Sequence, residues 1–327
     1  MKLKIRVEKP KVEALRVGVL MGGWSPERKI SLVSGEKAAE GLKKAGLAVT
    51  VLDLTAADRP EKKLIAKLKK ARLDVAFIAL HGGYGENGGI QTLLERLGIP
   101  YTGSGPLACG LAMQKACAKL VLEANQVPTA PWQALERKGS VNRASEVTLK
   151  LPVVVKPADG GSAIGVTIVR KKEQLNQALK LAFRYSYWVL VEKYIPGTEV
   201  TVGVLGEKAL PVIEIVPKNE FYDLDAKYTP GKSTHLIPAR ISKALTKKTQ
   251  EIGKKAGKVL GCEDFYRVDL IVSKKGEPQV LEVNTVPGMT GTSLFPEAAA
   301  KAGYPFPKLL KHLTLLAVKK RKTKGRF

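Results

Sequence analysis

Residues 267–288, RVDLIVSKKGEPQVLEVNTVPG, predict two short apolar strands joined by a turn at KKGE. Side chains alternate faces along a strand, so Arg267 and Asp269 share one face of the first strand, and Glu282 and Asn284 share one face of the second. Asp269, Glu282 and Asn284 supply hard oxygen ligands, a set that suits Mg²⁺ bridging phosphate oxygens. The alternative, a polar edge exposed to water, does not explain why the flanking residues are so uniformly apolar.

A glycine-rich turn lies between two other apolar strands, in VVVKPADGGSAIGVTIV at 153–169. Gly160, Gly161 and Gly165 let backbone N–H groups approach a phosphate without obstruction by a Cβ atom, and Lys156 adds a positive charge. A plain turn is the alternative for this pattern taken alone. Together with the carboxylate-bearing hairpin, the turn predicts a site for Mg-ATP, without the P-loop motif, which the sequence lacks.

The remaining pattern alternates strands and helices and predicts an α/β fold that also contains α+β elements. About the first hundred residues read as βαβαβ, which predicts a parallel sheet with active groups at the carboxyl ends of its strands. A second segment, 106–197, contains a predicted helix over 111–124, LAMQKACAKLVLEA, and further strands. A third begins near residue 200 and includes the hairpin.

The composition indicates the cellular compartment and excludes some classes of function. The 327 residues are 44% hydrophobic, and the charged start has no apolar segment, so we expect a cytoplasmic protein without membrane insertion. Cys109, Cys117 and Cys262 fit neither a disulfide framework nor a metal motif, so we expect them to be buried packing residues. Two short motifs are set aside: GSGPLA at 103–108 lacks the following βαβ unit, and SGEK at 34–37 lacks its partner motifs.

The net charge of +25 admits two explanations. The two ends of the chain supply +10, and a basic tail can bind nucleic acid or an anionic membrane. No aromatic-interleaved or motif-bearing basic patch accompanies the charge, so a solvated lysine-rich surface is favoured and a nucleic-acid partner is not. Under either explanation, the positive potential of the protein attracts an anionic substrate.

Six motifs, in order along the chain, give it a family resemblance. They are GGWSPERKISLVSG, LHGGYGENGGIQTLLERLGIPYTGSG, AMQK with VVVKPADGGSAIGV, VLVEKYIPGTEVTV, FYDLDAKY, and RVDLIV with LEVNTVPGMTGTSL. With these motifs, the chain from Leu15 to His312 resembles D-alanine:D-alanine ligases of the ATP-grasp superfamily. The resemblance implies that ATP drives the joining of two D-alanines through an acyl phosphate, for peptidoglycan precursor synthesis.

The resemblance also implies a three-domain ATP-grasp architecture, two Mg²⁺ ions with Mn²⁺ as a substitute, and a homodimer. The expected segments are a basic N-terminal extension, an N-terminal α/β substrate domain, a central lid domain, a C-terminal catalytic domain and a basic tail. They span residues 1–14, 15–112, 113–199, 200–318 and 319–327.

The resemblance assigns the amino-acid sites first. Glu27 is expected to hold the ammonium of the first D-alanine, with His81 near its carboxylate. Arg267 and the backbone N–H of Gly288 are expected to stabilise the oxyanion. The carboxylate of the second D-alanine is expected to bind at Ser293 and Leu294.

For the nucleotide, the resemblance places Lys115 and Lys156 on the phosphates. Recognition of adenine and ribose is expected from Glu192, Lys193 and Glu199. Lys227 is expected to reach the γ-phosphate from a mobile loop. Tyr228 of that loop is expected to join Ser162 and Glu27 in a hydrogen-bonded triad, and Asp269, Glu282 and Asn284 are expected to bind the metal.

Three departures from the family pattern remove no catalytic group. Gln114 stands before the lysine of AMQK where an acidic residue is expected, and Gly160 replaces a carboxylate in the lid. After Glu27, the chain has Arg28 and Lys29, which replace a commonly acidic position. Another ATP-grasp ligase, such as a D-alanine:D-lactate ligase, is the alternative within the superfamily. A nucleic-acid binder is the alternative outside it, and it rests on charge alone.

Overall fold

The computed structural model describes residues 15–137, 144–218, 231–291 and 293–324, with side chains through Lys320. Within these ranges the chain forms three sheets and the helices that cover them, in a mixed α/β arrangement that confirms the predicted fold class. The expected domain boundaries stay a prediction. No helix in the described ranges is long and apolar enough to cross a membrane.

The first sheet is parallel, as the βαβαβ pattern predicts. Its strand order is β2-β1-β3, and the helices that follow these strands are α1, α2 and α3. The bounds are β1 Arg16–Gly22, α1 Arg28–Lys44, β2 Ala48–Leu54, α2 Glu61–Ala71, β3 Val75–Ile78 and α3 Gly89–Arg96. Strand β1 is buried along six of its seven residues because it is central in the sheet. The carboxyl ends of β1 and β3 lead directly into the segments that carry Glu27 and His81.

The second sheet is antiparallel and carries the glycine-rich turn. Its order is β4-β7-β5-β6, and the turn joins β5 to β6. The bounds are β4 Trp132–Glu136, β5 Val153–Pro157, β6 Thr167–Val169, α6 Leu175–Phe183 and β7 Trp188–Lys193. Alternate valines of β5, β6 and β7 pack with α6 into one apolar cluster. This packing holds the base of the turn and leaves its tip to face the third sheet.

The third sheet contains the hairpin with which the sequence analysis began. Its order is β11-β10-β8-β12-β13, with the short β9 paired to β8. The strands are β8 Gly197–Leu205, β9 Lys208–Ala209, β10 Ile213–Pro217, β11 Ser233–Leu236, β12 Phe265–Ser273 and β13 Pro278–Asn284. The helices of this part are α7 Lys243–Val259, α8 Leu294–Lys301 and α9 Phe306–Lys324.

The last helix, α9, returns to the first sheet. Leu309, Leu310 and Leu313 lie in one buried cluster with Val17 and Val19 of β1. The two ends of the described chain therefore share a hydrophobic core. The basic segment expected to begin at residue 319 starts inside this helix, which continues to Lys324.

The helix predicted over 111–124 is wrong as a single element. Two helices occupy this region, α4 Pro106–Met113 and α5 Lys115–Ala124, and they meet at Gln114, whose ψ of 89° lies outside the helical region. The break turns the backbone N–H of Lys115 onto the carbonyl of Ala158 at 2.8 Å. A hydrogen bond to the glycine-rich segment thus replaces one inside a continuous helix.

The cysteine prediction holds for Cys109, which is buried, and is wrong for Cys117, which is exposed on α5. Cys262 is partly buried. Burial raises the pKa of the Cys109 thiol to about 11. That thiol is therefore inert near neutral pH, as expected of a packing residue.

Candidate active site

Two adjoining cavities lie along the hairpin. The smaller, about 100 Å³, faces the loops that follow β1 and β3, and the larger, about 400 Å³, lies between the second and third sheets. Both are lined by Lys115, Gly160, Gly161 and Glu282. A group transferred between molecules bound in the two cavities would therefore pass beside these residues.

The hairpin places its polar residues in register. Asp269 of β12 pairs with Glu282 of β13, and Arg267 pairs with Asn284, so the four side chains predicted to share a face occupy adjacent cross-strand positions. The register shifts between Asp269 and Leu270. Such an irregularity re-aims side chains locally and is common next to active sites.

Arg267 and Asp269 form a bidentate ion pair, with two N–O distances of 2.8 Å. Both side chains are about nine-tenths buried, so the pairing offsets the cost of removing each charge from water. The hydroxyl of Thr201 donates a further hydrogen bond to Asp269, at 2.6 Å. These contacts fix the guanidinium of Arg267 at the wall of the smaller cavity.

The hairpin's donors fit a magnesium site that the protein completes only in part. Asp269 and Glu282 offer carboxylate oxygens and Asn284 an amide oxygen, and all three residues line the cavities. Within the described ranges no three or more His, Cys, Asp or Glu residues cluster as a metal cage. In nucleotide sites Mg²⁺ is usually held by one or two carboxylates, with phosphates and water completing the shell.

Lys115 of α5 connects the glycine-rich turn to the hairpin. The ammonium of Lys115 donates a hydrogen bond to the carbonyl of Gly160 at 2.6 Å and lies 3.5 Å from the carboxylate of Glu282. Gly160 and Gly165 have φ values of +99° and +75°, which side chains disfavour. The turn therefore needs its glycines to arch over the junction of the two cavities.

Lys156, Glu192 and Lys119 form a buried cluster beside the larger cavity. The ammonium groups of Lys156 and Lys119 lie 2.7 Å and 3.2 Å from the same oxygen, Oε1 of Glu192. Burial would raise the pKa of Glu192, but attraction by Lys156 and then Lys119 outweighs it, so the pKa lies below its usual range. Burial lowers the pKa of Lys119, and attraction to Glu192 opposes that effect.

Two more residues expected to bind the nucleotide, Lys193 and Glu199, also line the larger cavity. The ammonium of Lys193 donates to the carbonyls of Lys150 and Leu151, at 2.9 Å and 3.3 Å, which ties β7 to the start of β5. Across the cavity, Glu214 accepts hydrogen bonds from the backbone and guanidinium of Arg240. The wall is thus polar at several points around an otherwise apolar interior, as is usual for ligand pockets.

The smaller cavity brings together Glu27, Ser162 and His81. The hydroxyl of Ser162 donates a short hydrogen bond to Glu27, which joins the glycine-rich turn to the loop after β1. His81 lies between Ser34, at 3.0 Å from Nε2, and Glu86, at 3.3 Å from Nδ1. An imidazole held from both sides keeps one orientation toward the cavity.

The opposite wall of this cavity is the start of α8. Ser293 precedes the helix, Leu294 is its first residue, and Gly288 lies nearby. The Ser293 hydroxyl accepts a hydrogen bond from the backbone N–H of Thr290 at 2.9 Å, which orders the approach to the helix. Free backbone N–H groups at a helix start attract carboxylates, so this wall suits the carboxyl end of an amino acid.

Lys227 and Tyr228 lie outside the described residues, so their expected roles stay predictions. Several residues of the site were not predicted, among them Lys119, Glu86 and Thr201. Glu86 lies in the quoted GGYGENGG motif. Thr201 pairs with Asp269 on the neighbouring strand and alternates with apolar residues along its own strand. Each therefore had a weak signal in the sequence. Lys119 had none, because it is one of many lysines.

Comparison with known proteins agrees with this geometry. Models of the D-ala D-ala ligase N-terminus and C-terminus match residues 55–104 and 121–315. A D-alanine–D-alanine ligase of Geotalea uraniireducens is 47% identical over 93% of this chain and 96% of its own length. The corresponding ligase of Trichlorobacter lovleyi is 49% identical over the same shares.

Solved structures give the same result. The D-alanine–D-alanine ligase of Bacillus anthracis aligns with a TM-score of 0.84 and 37% identity, covering 95% of this chain and all of that one. Its complex with ATP aligns with a TM-score of 0.82 at 36% identity, covering 95% and 99%. Family models over most of the sequence, relatives near half identity and a shared fold lead to one conclusion: the chain belongs to the D-alanine–D-alanine ligase family.

Proposed function

We propose that this protein joins two D-alanines to D-alanyl-D-alanine at the expense of ATP. The observation that carries the proposal is the junction of the two cavities at Lys115 and Glu282. One cavity is large and bordered by lysines, as a nucleotide requires, and the other is small and has carboxylate-binding and ammonium-binding walls. Reacting groups held at this junction gain the rate advantage of proximity.

In the first step, a carboxylate oxygen of the first D-alanine attacks the γ-phosphorus of ATP, and ADP leaves. Glu27 holds the ammonium of this substrate, and Lys115 and Lys156 offset the charge on the moving phosphoryl group. Asp269, Glu282 and Asn284 would hold Mg²⁺, which would supply positive charge to offset the negative charge of the phosphates. The product is an acyl phosphate, a better electrophile than the carboxylate.

In the second step, the amine nitrogen of the second D-alanine attacks the acyl carbon, and phosphate leaves. Arg267 and the N–H of Gly288 donate to the oxyanion of the tetrahedral intermediate, a role worth about 3 kcal/mol per donor in comparable sites. The start of α8, with Ser293 and Leu294, binds the carboxylate of this substrate. The Ser162–Glu27 hydrogen bond keeps the glycine-rich turn closed against water, which would hydrolyse the acyl phosphate.

A coupled assay of ADP release tests the proposal. ADP release should require D-alanine, should fail with L-alanine alone, and should yield one D-alanyl-D-alanine per ADP. ADP release with D-lactate present and depsipeptide as the main product would instead support a D-alanine:D-lactate ligase. Nucleotide binding without D-alanine-dependent turnover would contradict both.

Four further features belong to this proposal: two Mg²⁺ ions in the active complex, a cytoplasmic location, the five-segment organisation of the chain, and a homodimer. For the dimer, Leu107 on α4 and Leu120 on α5 are 77% and 59% exposed. Large apolar side chains on neighbouring helices are typical of a protein interface. Sedimentation of the wild type and of Leu107→Asp would test it, since the variant should lower the mass to that of one chain.

A further inference from the structure

Lys119 is the most deeply buried charged group next to the nucleotide cavity. Its residue exposure is 2%, and that of Glu192 is 3%. Among the described residues, Lys156 and Glu192 line the larger cavity, while Lys119 lines neither cavity. Lys119 therefore lies behind the cavity wall, and its contact with the cavity runs through Glu192.

The cluster of Lys119, Glu192 and Lys156 carries two positive charges and one negative charge. A single ion pair between Glu192 and Lys156 would already be neutral, and burying an additional ammonium is costly. These three side chains together carry one net positive charge, and Lys156 is the lysine of the three that lines the cavity. An anionic group in the cavity would supply the missing negative charge.

Lys119 is also held by groups other than Glu192. Its ammonium donates to the hydroxyl of Thr129 at 2.6 Å and to the carbonyl of Ala130 at 3.3 Å. Thr129 in turn donates to the carbonyl of Val280 on β13, at 2.8 Å. The ammonium therefore has a fixed position between α5, β7 and the strand that carries Glu282.

We infer that Lys119 is a positioning residue that neutralises Glu192 and so releases Lys156 to bind a phosphate group of the nucleotide. The structure places the ammonium of Lys156 on Glu192, 2.7 Å from Oε1. When phosphate enters, Lys156 shifts toward it, and Lys119 leaves Glu192 with a buried counter-charge. The inference deepens the proposed function and rests on nucleotide binding in the larger cavity.

The removal of Lys119 should therefore act on phosphate recognition. In Lys119→Met, Glu192 has Lys156 as its one remaining partner in the cluster and keeps it away from the nucleotide. We expect the ADP dissociation constant to rise at least about tenfold, and adenosine, which has no phosphate, to change less than about threefold. The KM for ATP should rise while the KM for D-alanine stays within about twofold.

Calorimetry with ADP and competition with adenosine would measure these changes. Wild type is measured first: failure to bind ADP would contradict the proposed function itself. Equal weakening of ADP and adenosine, or no weakening of either, would overturn the inference alone. Lys320→Met is the matched control, because Lys320 is also ion-paired, 2.8 Å from Glu263, with its side chain only 15% exposed, but it lines neither cavity. The ADP affinity of this variant should be unchanged.

If Lys119→Met does not fold, the same substitution can be tested in a protein that also carries Glu192→Gln. In Glu192→Gln, no buried carboxylate captures Lys156, so adding Lys119→Met should leave ADP affinity unchanged. The double variant removes both charges of the buried pair and is expected to fold more readily than Lys119→Met. If it bound ADP at least about tenfold more weakly than Glu192→Gln, Lys119 would not act through Glu192 and the inference would be wrong.

Discussion

At the hairpin, Asp269 and Glu282 lie directly opposite each other on neighbouring strands, and each lines the nucleotide cavity. Asp269 also anchors Arg267, so one carboxylate serves both the proposed metal and the proposed oxyanion donor. Loss of its charge therefore has two consequences at once. Glu282 contacts Lys115 instead, so its loss affects the metal and the phosphate-binding lysine.

We expect Asp269→Asn and Glu282→Gln to lower kcat by at least about a hundredfold, because Mg²⁺ loses a charged ligand between the nucleotide phosphates. ADP release measured over a Mg²⁺ titration would show this. Glu277→Gln, in an exposed position of the same hairpin, is the control and should keep its activity. Wild-type rates in both site variants at ordinary Mg²⁺ concentrations would rule out the metal assignment.

The choice of second substrate is expected to depend on Tyr228. The resemblance implies that Tyr at this position is associated with dipeptide formation and Phe with acceptance of D-lactate. Loss of a buried hydrogen bond changes energies by about 1–3 kcal/mol, enough to alter selectivity about ten- to a hundredfold. Tyr228→Phe, given equal D-alanine and D-lactate over a pH series, should raise the ratio of depsipeptide to dipeptide. An unchanged ratio would mean that selectivity is set elsewhere.

Among the elements, the glycine-rich turn depends most on backbone conformation. A Cβ atom at Gly165 would lie 2.8 Å from the ring of Tyr185 and 3.0 Å from Pro157, whereas one at Gly160 would meet nothing within 4 Å. Both glycines have positive φ values, so any other residue is strained at either position. The two positions therefore separate backbone strain from steric conflict.

We expect Gly160→Ala to destabilise the protein by about 1 kcal/mol, from backbone strain alone. Gly165→Ala should cost more, because Tyr185 or Pro157 must also move, and it should raise the KM for ATP as the turn shifts. Denaturant unfolding and ATP kinetics of the two variants would measure this. Equal unfolding energies would show that the turn relaxes freely around residue 165.

In the whole molecule, ion pairs in different sheets make stability depend on pH. Hydrogen bonds from Arg16 hold the pKa of Asp74 below its ordinary value, and those from Arg240 do the same for Glu214. A carboxyl whose pKa is lowered by folding stabilises the protein above its unfolded pKa, and this contribution is lost as pH falls through the folded value. Stability should therefore decline on the acid side.

Glu214→Gln should lower stability at neutral pH, and its difference from wild type should shrink as pH falls below 4.5, the ordinary pKa of a Glu side chain. Denaturant unfolding without nucleotide, measured from neutral pH into the acid range, would follow the difference. Glu277→Gln, at an exposed position, is the control for loss of a carboxylate at the surface. A difference that stays constant over the range would mean that Glu214 acts through packing.

The sequence by itself determined the hairpin, the glycine-rich turn and the parallel first sheet, because alternation, turn residues and helix periodicity are local patterns. It also determined the family, through six motifs that follow one another in order along the chain. The tertiary structure alone decided the break at Gln114, the return of α9 to β1, and the contact of Lys119 with Glu192. These depend on contacts between residues far apart in the chain, and such contacts leave no pattern in the neighbouring residues.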